Sequence, residues 1–496
     1  MSTVAVAKAG SSRHGIEVDN NVESSKSLPS EPQARWAELT IGQRLTVLKA
    51  ARHRMAAMTE EFAAAISLEL GRTPADTLAA EVLPLLAAGR FLEQQAEKIL
   101  RPRRLGIKGR PAWLIGVDTE IHRVPYGRVL VIGPANYPLL LPGVQTLQGL
   151  AAGNAVIWKP GLHGRPIAEL FADAMHASGL PTELLRITDE SVEAAECEIA
   201  RGVAKVFFTG SANSGRLLMK RLADTLTPCV AELSGCDAVI VLPSARLERV
   251  VQALVFGMRF NESATCMAPK RVLLVDATED RRREFAAMFQ DQLRHIEVKL
   301  SQSVKSQVDD LLEEARSAGA TILGGPDNQL FRPKLIMNGS MDMRIAQADV
   351  FAPVLIMIDV EGEKGAIAAQ EACPFGLTSS VFGEERAARR LASKLDTGTV
   401  IVNDLIVPTA DPRVRFGGRR LSGFGVTRGS EGLLEMTAAK TVAVRRGRSI
   451  RHYEPTGVAH QKLFRGFILA SHAATWRERW QGVREAIAAS RELRKR

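Results

Sequence analysis

From residue 128 onward the chain alternates short β-branched and aliphatic runs with stretches long enough for helices, and each run stops at a glycine, a proline or a small polar residue. Arg128-Val129-Leu130-Val131-Ile132-Gly133 ends at Pro134, and a helical pattern follows to about Ala152. Ala155-Val156-Ile157-Trp158-Lys159 ends at Pro160; after another helical stretch, Val203 to Phe208 ends at Thr209-Gly210-Ser211. Strands that alternate with helices imply βαβ units and a doubly wound parallel sheet. Such a sheet binds phosphate-bearing ligands at the carboxyl ends of its strands.

The second half repeats the alternation. Asp237 to Leu242 predicts a strand, residues 245–260 a helix, Arg271 to Val275 a strand and 281–295 a helix, so a second α/β domain is expected. Upstream, residues 40–100 read as helices, opened by Thr40-Ile41-Gly42-Gln43, which has the form of a capping box. Lys440 to Arg446 reads as a late strand, and the region beyond residue 460 as basic helix. No internal repeat of 20–50 residues is present.

Length and composition bound the class. At 496 residues, 46% hydrophobic and 24% charged, the chain buries sizeable cores and divides into two or three domains. Cys197, Cys229, Cys236, Cys266 and Cys373 form no CxxC pair and no Cys/His cluster of zinc-like spacing, so no metal is expected and a reducing compartment, the cytoplasm, is. Residues 1–30, rich in Ser, Asn and Glu and without a signal-like apolar core, read as a disordered lead-in. No run reaches the roughly 18 apolar residues of a spanning helix. The net charge of +10 suggests nucleic acid only until it is located: Arg445 to Arg496 carries 13 Lys and Arg against four acids, a surplus of nine. The body is nearly neutral, and no nucleic acid is expected.

Within that frame two stretches propose chemistry. Cys266 lies in Asn261-Glu262-Ser263-Ala264-Thr265-Cys266-Met267-Ala268, and Glu232 closes the apolar run Cys229-Val230-Ala231-Glu232-Leu233. A thiol and a partly desolvated acid are what covalent catalysis at a carbonyl carbon requires, the acid's raised pKa suiting it to be a base near neutrality. Alone, Cys266 reads more readily as a buried structural cysteine, and Glu232 equally as a strand-end residue closing a turn. Asn136, in Gly133-Pro134-Ala135-Asn136-Tyr137-Pro138, is an oxyanion donor or an Asx-turn former. Lys159 suits ribose or phosphate recognition, or is simply solvated. The Gly210-Ser211-Ala212-Asn213-Ser214-Gly215 loop could seat a pyrophosphate on a helix N-terminus, but it is not GxGxxG.

Taken in order, these motifs resemble the signature set of the aldehyde dehydrogenase superfamily. The resemblance rests on Gly133 to Pro138, Trp158-Lys159-Pro160, Phe208-Thr209-Gly210-Ser211 with Gly215, Glu232-Leu233-Ser234-Gly235, Asn261 to Cys266 with Ala268, Phe351-Ala352-Pro353-Val354, Pro374 to Thr378, and Phe416-Gly417-Gly418 with Ser422 to Gly425. It runs from about residue 35 to 445. It implies an α/β fold of two doubly wound domains plus a small β oligomerisation element: residues 31–233 binding NAD or NADP, 234–438 catalytic, and 106–126 and the 439–447 strand oligomerising into a homodimer or homotetramer. Residues 448–496, the least family-like part, read from their own pattern as a basic amphipathic helical tail.

The same resemblance implies roles. Cys266 would attack an aldehyde, with the oxyanion held by the Asn136 amide and the Cys266 backbone N–H, and Glu232 would activate water to hydrolyse the thioester. Lys159 would contact the adenosine ribose, Gly210, Ser211 and Gly215 the pyrophosphate turn, and Asp349 and Phe351 the nicotinamide end. Asp349 stands where a glutamate is usual. Ser234 and Cys236 stand where Gly and Lys are common, and Leu162 replaces an acid that in many members pairs with ribose hydroxyls, so NADP becomes admissible beside NAD. Tyr137, Leu140, Leu141, Thr265 and Met267 flank the centre and lean towards a hydrophobic aldehyde. The rivals are a reductase that passes the acyl group to CoA, which Glu232 argues against, and a non-catalytic scaffold using its tail. In that tail Trp476, Trp480, Val483 and Ile487 make an apolar stripe among arginines. It is expected to pack on the body or another subunit, though an anionic membrane surface or acidic partner also suits it.

Overall fold

A computed structural model of the chain describes residues 30–293, 296–326, 330–446, 453 and 455–494. Residues 1–29 of the lead-in expected over 1–30, and the junction into the tail, lie outside them. Two compact units are distinguished, one running to Arg103 and from Ile121 to Lys440, the other comprising Arg104–Glu120 and Thr441–Arg496.

The first unit holds two broad sheets, besides the two-stranded pairing of Phe375–Gly376 with Arg419–Arg420. In spatial order the first consists of Gly423–Phe424, Cys229–Glu232, Lys205–Thr209, Arg128–Ile132, Ala155–Lys159 and Leu185–Ile187. All pairs are parallel except that Gly423–Phe424 runs antiparallel to Cys229–Glu232, with Gly423 opposite Glu232. The order reverses between Arg128–Ile132 and Lys205–Thr209, and a crevice opens at the carboxyl ends of strands at such a reversal. The wholly buried helix Leu140–Ala151 lies between the first two parallel strands in sequence. The second sheet orders as Thr321–Leu323, Lys334–Met337, Val354–Val360, Pro269–Val275, Asp237–Val241, Thr378–Phe382 and Thr399–Val402, parallel but for its first pair. Its central strands are buried along their whole length.

Local signals explain the boundaries. Helix Ile41–Ala57 starts at Thr40, whose hydroxyl accepts from Gln43 N while the Gln43 side chain accepts from Thr40 N, the reciprocal capping predicted above. The strand expected to end at Phe208 runs over Lys205–Thr209, and the helix expected over 281–295 spans Glu279–Leu293. A third sheet orders as Arg103–Leu105, Val117–Pro125 and Thr437–Arg445. The single basic helix expected beyond residue 460 is two, Val458–His472 and Trp476–Arg494. No helix among the described residues is long and apolar enough to cross a membrane.

Candidate active site

The Cys266 loop follows helix Leu247–Arg259 through a tight turn in which Asn261, Glu262 and Ser263 all hold positive φ, between 51° and 65°. Asn tolerates that region; for Glu and Ser it costs of order 1–3 kcal/mol each, and such strain persists only where the surroundings over-determine it. Here they do. The Asn261 amide donates to the carbonyl oxygens of Ala264 (2.9 Å) and Asn136 (3.2 Å), and the Asn136 amide donates to Ala264 O at 2.8 Å. Tyr137 and Thr265 share a hydroxyl–hydroxyl bond of 2.9 Å. Asn136 and the Cys266 loop are thus fastened side by side, although 130 residues separate them.

Glu232 reaches the same place from the end of its strand. The Cys266 thiol donates towards Glu232 Oε1 across 3.9 Å, and Gly210 N donates to Glu232 O at 3.1 Å. Gly235 permits the approach: a Cβ there would collide with the Cys266 carbonyl oxygen. Burial pushes the Glu232 carboxyl above the ordinary range, while the Arg428 guanidinium and hydrogen bonds from Cys266 and Thr427 draw it down. Burial, and then the facing Glu232 carboxylate, hold the Cys266 thiol well above its usual pKa.

Sequence reasoning missed five contributors. Arg428, buried and at φ 59°, donates to Thr409 O at 2.9 Å and lies 4.4 Å over the Phe416 ring. Lys270 is buried, its pKa brought down to about 8 by desolvation, and donates to Ala352 O at 3.2 Å. Arg72 and Glu81 form a buried pair at 2.7 Å; Glu81 also accepts from Leu139 N and Leu140 N, and Arg72 donates to Asn136 O. Thr427 exchanges backbone hydrogen bonds with Phe416. Only the Phe416-Gly417-Gly418 and Ser422 to Gly425 motifs hinted at this segment, because the antiparallel pairing of Gly423 with Glu232 is what carries it to the site.

The cofactor candidates gather at the sheet reversal. A cavity of about 690 Å³ is lined by Ile132, Gly133, Lys159, Phe208, Gly210 and Ser214 among others. The lining suits a dinucleotide, being apolar on its walls with a lysine at a strand end and a helix N-terminus beside it. Ser211 caps helix Ala212–Thr225 by accepting from Ser214 N at 3.1 Å, and Ser234 Oγ accepts from Ala212 N at 3.1 Å. A Cβ at Gly215 would come within 2.8 Å of Leu233 Cδ2, so glycine lets this helix close on the strand bearing Glu232. Asp349 is mostly buried; burial raises its pKa, the Ser234 hydroxyl bonds it and Lys270 faces it. That serine, where glycine is common, meets the shorter acid. Phe351, half-buried, begins the loop whose Ala352 oxygen Lys270 holds. No cluster of three or more His, Cys, Asp or Glu able to hold a metal occurs among the described residues.

Comparison with known proteins follows the same lines. The family model described as the aldehyde dehydrogenase family matches residues 7–442. The chain is 28% identical to a 4,4'-diapolycopene aldehyde oxidase of Methylomonas, over 92% of this chain and 88% of the relative. It is 28% identical to a benzaldehyde dehydrogenase (NAD+) of Pseudomonas putida, over 83% and 86%. It is similar in structure to betaine aldehyde dehydrogenase of Staphylococcus aureus in complex with NAD+, with a TM-score of 0.77 and 25% identity over 85% of this chain and 86% of that one. This chain belongs to the aldehyde dehydrogenase family.

Proposed function

We propose that this NAD(P)-dependent aldehyde dehydrogenase oxidises a hydrophobic aldehyde to its carboxylate with Cys266 as nucleophile, Glu232 as base, and the Asn136 amide and Cys266 backbone N–H as oxyanion donors. The observation that carries it is the 3.9 Å approach of the Cys266 thiol to a buried Glu232, on a loop to which the Asn136 amide is also bonded. Glu232 takes the thiol proton as sulfur adds to the carbonyl carbon, and the new oxyanion would be met by the Asn136 amide and the Cys266 backbone N–H. A bound nicotinamide supplies acceptance of the hydride that leaves this carbon. Glu232, ionised again, then draws a proton from water attacking the thioester, and Cys266 departs as thiolate. The balance is aldehyde, water and oxidised cofactor to carboxylate, reduced cofactor and protons. An enzyme guarding its thioester for CoA would have no use for that base, which disfavours the acyl-transfer reading.

Lys159 with Gly210, Ser211 and Gly215 would hold the dinucleotide, and Asp349 and Phe351 its nicotinamide end. The preferred dinucleotide is NAD. Glu190 accepts from His163 N and Arg165 N at 2.8 Å each, filling the amides that open helix Arg165–His176, while Arg165 is tied to Glu169 at 2.8 Å and Asp189 at 3.4 Å. A 2′-phosphate near Lys159 would meet these carboxylates rather than a free cation. Buried Tyr137, Leu140, Leu141 and Met267 support the hydrophobic substrate, and the chain would act as a homodimer or homotetramer. Reduced-cofactor absorbance with benzaldehyde and aliphatic aldehydes tests the reading. Cys266→Ala should abolish turnover, and Glu232→Gln should lower it about 10²–10⁴-fold. Turnover surviving Cys266→Ala would sink the assignment.

A further inference from the structure

The two helices of the second unit, Val458–His472 and Trp476–Arg494, pack on each other through small residues. A Cβ at Gly482 would stand 2.7 Å from Gly466 O, and one at Gly466 would stand 2.8 Å from Gly482 O; Ala486 and Ala489 are buried beside them. The apolar stripe foreseen in the sequence is not this face. Trp476, Trp480 and Ile487 are 68%, 54% and 48% exposed. At 100° per residue they fall within about 40° of one another around the axis, with Arg477, Arg484 and Arg491 on one flank and Arg479 on the other.

The acids point elsewhere. Glu485 pairs with Arg465 at 3.7 Å and Glu492 with Lys462 at 3.4 Å across the hairpin, and Glu478 accepts from Thr475 N at 3.2 Å. Arg477, Arg484 and Arg491 pair with no carboxylate among the described residues, and Trp476, Arg477, Trp480 and Arg484 help line a surface recess of about 530 Å³. Exposed tryptophans flanked by unpaired arginines match the apolar-to-polar gradient of a bilayer surface, where indole sits at headgroup depth and guanidinium meets phosphate. Self-pairing of this face about a two-fold axis would set arginine against arginine.

We propose that the C-terminal hairpin docks the enzyme on an anionic bilayer surface, Trp476, Trp480 and Ile487 entering the interface and the flanking arginines holding lipid phosphates. Flotation of the full chain with phosphatidylcholine vesicles, with and without phosphatidylglycerol, tests it. Binding should require phosphatidylglycerol and fall as salt rises, and Arg477→Ala and Arg484→Ala should each weaken partitioning about fivefold. Brominated acyl chains should quench tryptophan emission, and the double variant Trp476→Ala/Trp480→Ala should lose that quenching although Trp36, Trp113 and Trp158 remain. Circular dichroism and turnover of a water-soluble aldehyde should be unchanged in every variant, which separates this result from failure of the catalytic assignment. Failure to float with anionic vesicles at low salt would overturn the proposal. So would arginine variants that float like the parent, a loss of oligomeric mass in the tryptophan variants with vesicle binding intact, or retention by duplex DNA in place of vesicles.

Discussion

Glu232 stands between opposing influences, and their balance sets the pH at which it can act. Burial favours its neutral form; Arg428, brought beside it by the Gly423–Glu232 pairing, favours its carboxylate. Removing the cation leaves desolvation less opposed, so in Arg428→Met the pKa of Glu232 rises and the acidic limb of the rate profile moves to higher pH. Arg428→Lys keeps a charge and should restore much of the limb, whereas a purely structural role would not distinguish Lys from Met; kcat measured against pH for the three proteins decides. Cys266, Glu232 and Asn136 were readable as candidates because each needs only a residue type within a short local pattern. Arg428 was not, since its place depends on a two-residue strand pairing in which Gly423 meets Glu232 across 191 positions. Asn261 lies within a legible motif, but its αL conformation and its amide clasp on Ala264 are consequences of packing.

Between elements, buried charge fixes the geometry that the site inherits. Glu81 caps the start of helix Leu140–Ala151 through Leu139 N and Leu140 N, and its partner Arg72 holds Asn136 O, so one ion pair ties a helix to the Asn136 loop. Glu81→Gln strands a buried guanidinium and should cost about 3–5 kcal/mol in urea unfolding. Arg72→Met/Glu81→Gln should recover part of that loss, because glutamine still accepts from Leu140 N. Asp237 joins two strands of the second sheet: Thr378 N donates to it at 3.1 Å and the Thr378 hydroxyl donates to its other oxygen. Burial nevertheless raises its pKa to about 7. Its folded pKa exceeds the unfolded value near 3.9, so its stabilising contribution is complete below about pH 4 and is lost as pH rises through 7, on the order of 4 kcal/mol across that window. Asp237→Asn mimics the neutral acid and should flatten the stability slope between those limits. The strands were legible from their aliphatic runs; their spatial order was not, because period and composition do not say which neighbour a buried strand takes.

At the scale of the whole chain, charge and hydropathy divide it where its compact units do. The nearly neutral body builds two broad sheets with deep aliphatic cores, whereas the basic end builds a hairpin whose interface is glycine and alanine. The sequence showed the amphipathic stripe but not the hairpin, because the contact surface of the last helix is made of Gly482, Ala486 and Ala489, residues that any apolar count passes over. A two-helix interface of small residues buries little apolar area, and at about 25 cal/mol per Å² it should be far less stable than the sheets. Thermal unfolding should then show two transitions, the smaller and earlier belonging to the hairpin. Gly482→Val forces a branched side chain against Gly466 O, where no space exists, and overpacking of this kind costs about 1–3 kcal/mol. Calorimetry should find the early transition lowered or lost in this variant and the main one unmoved; a shift of the main transition would mean that the hairpin and the catalytic body unfold as one.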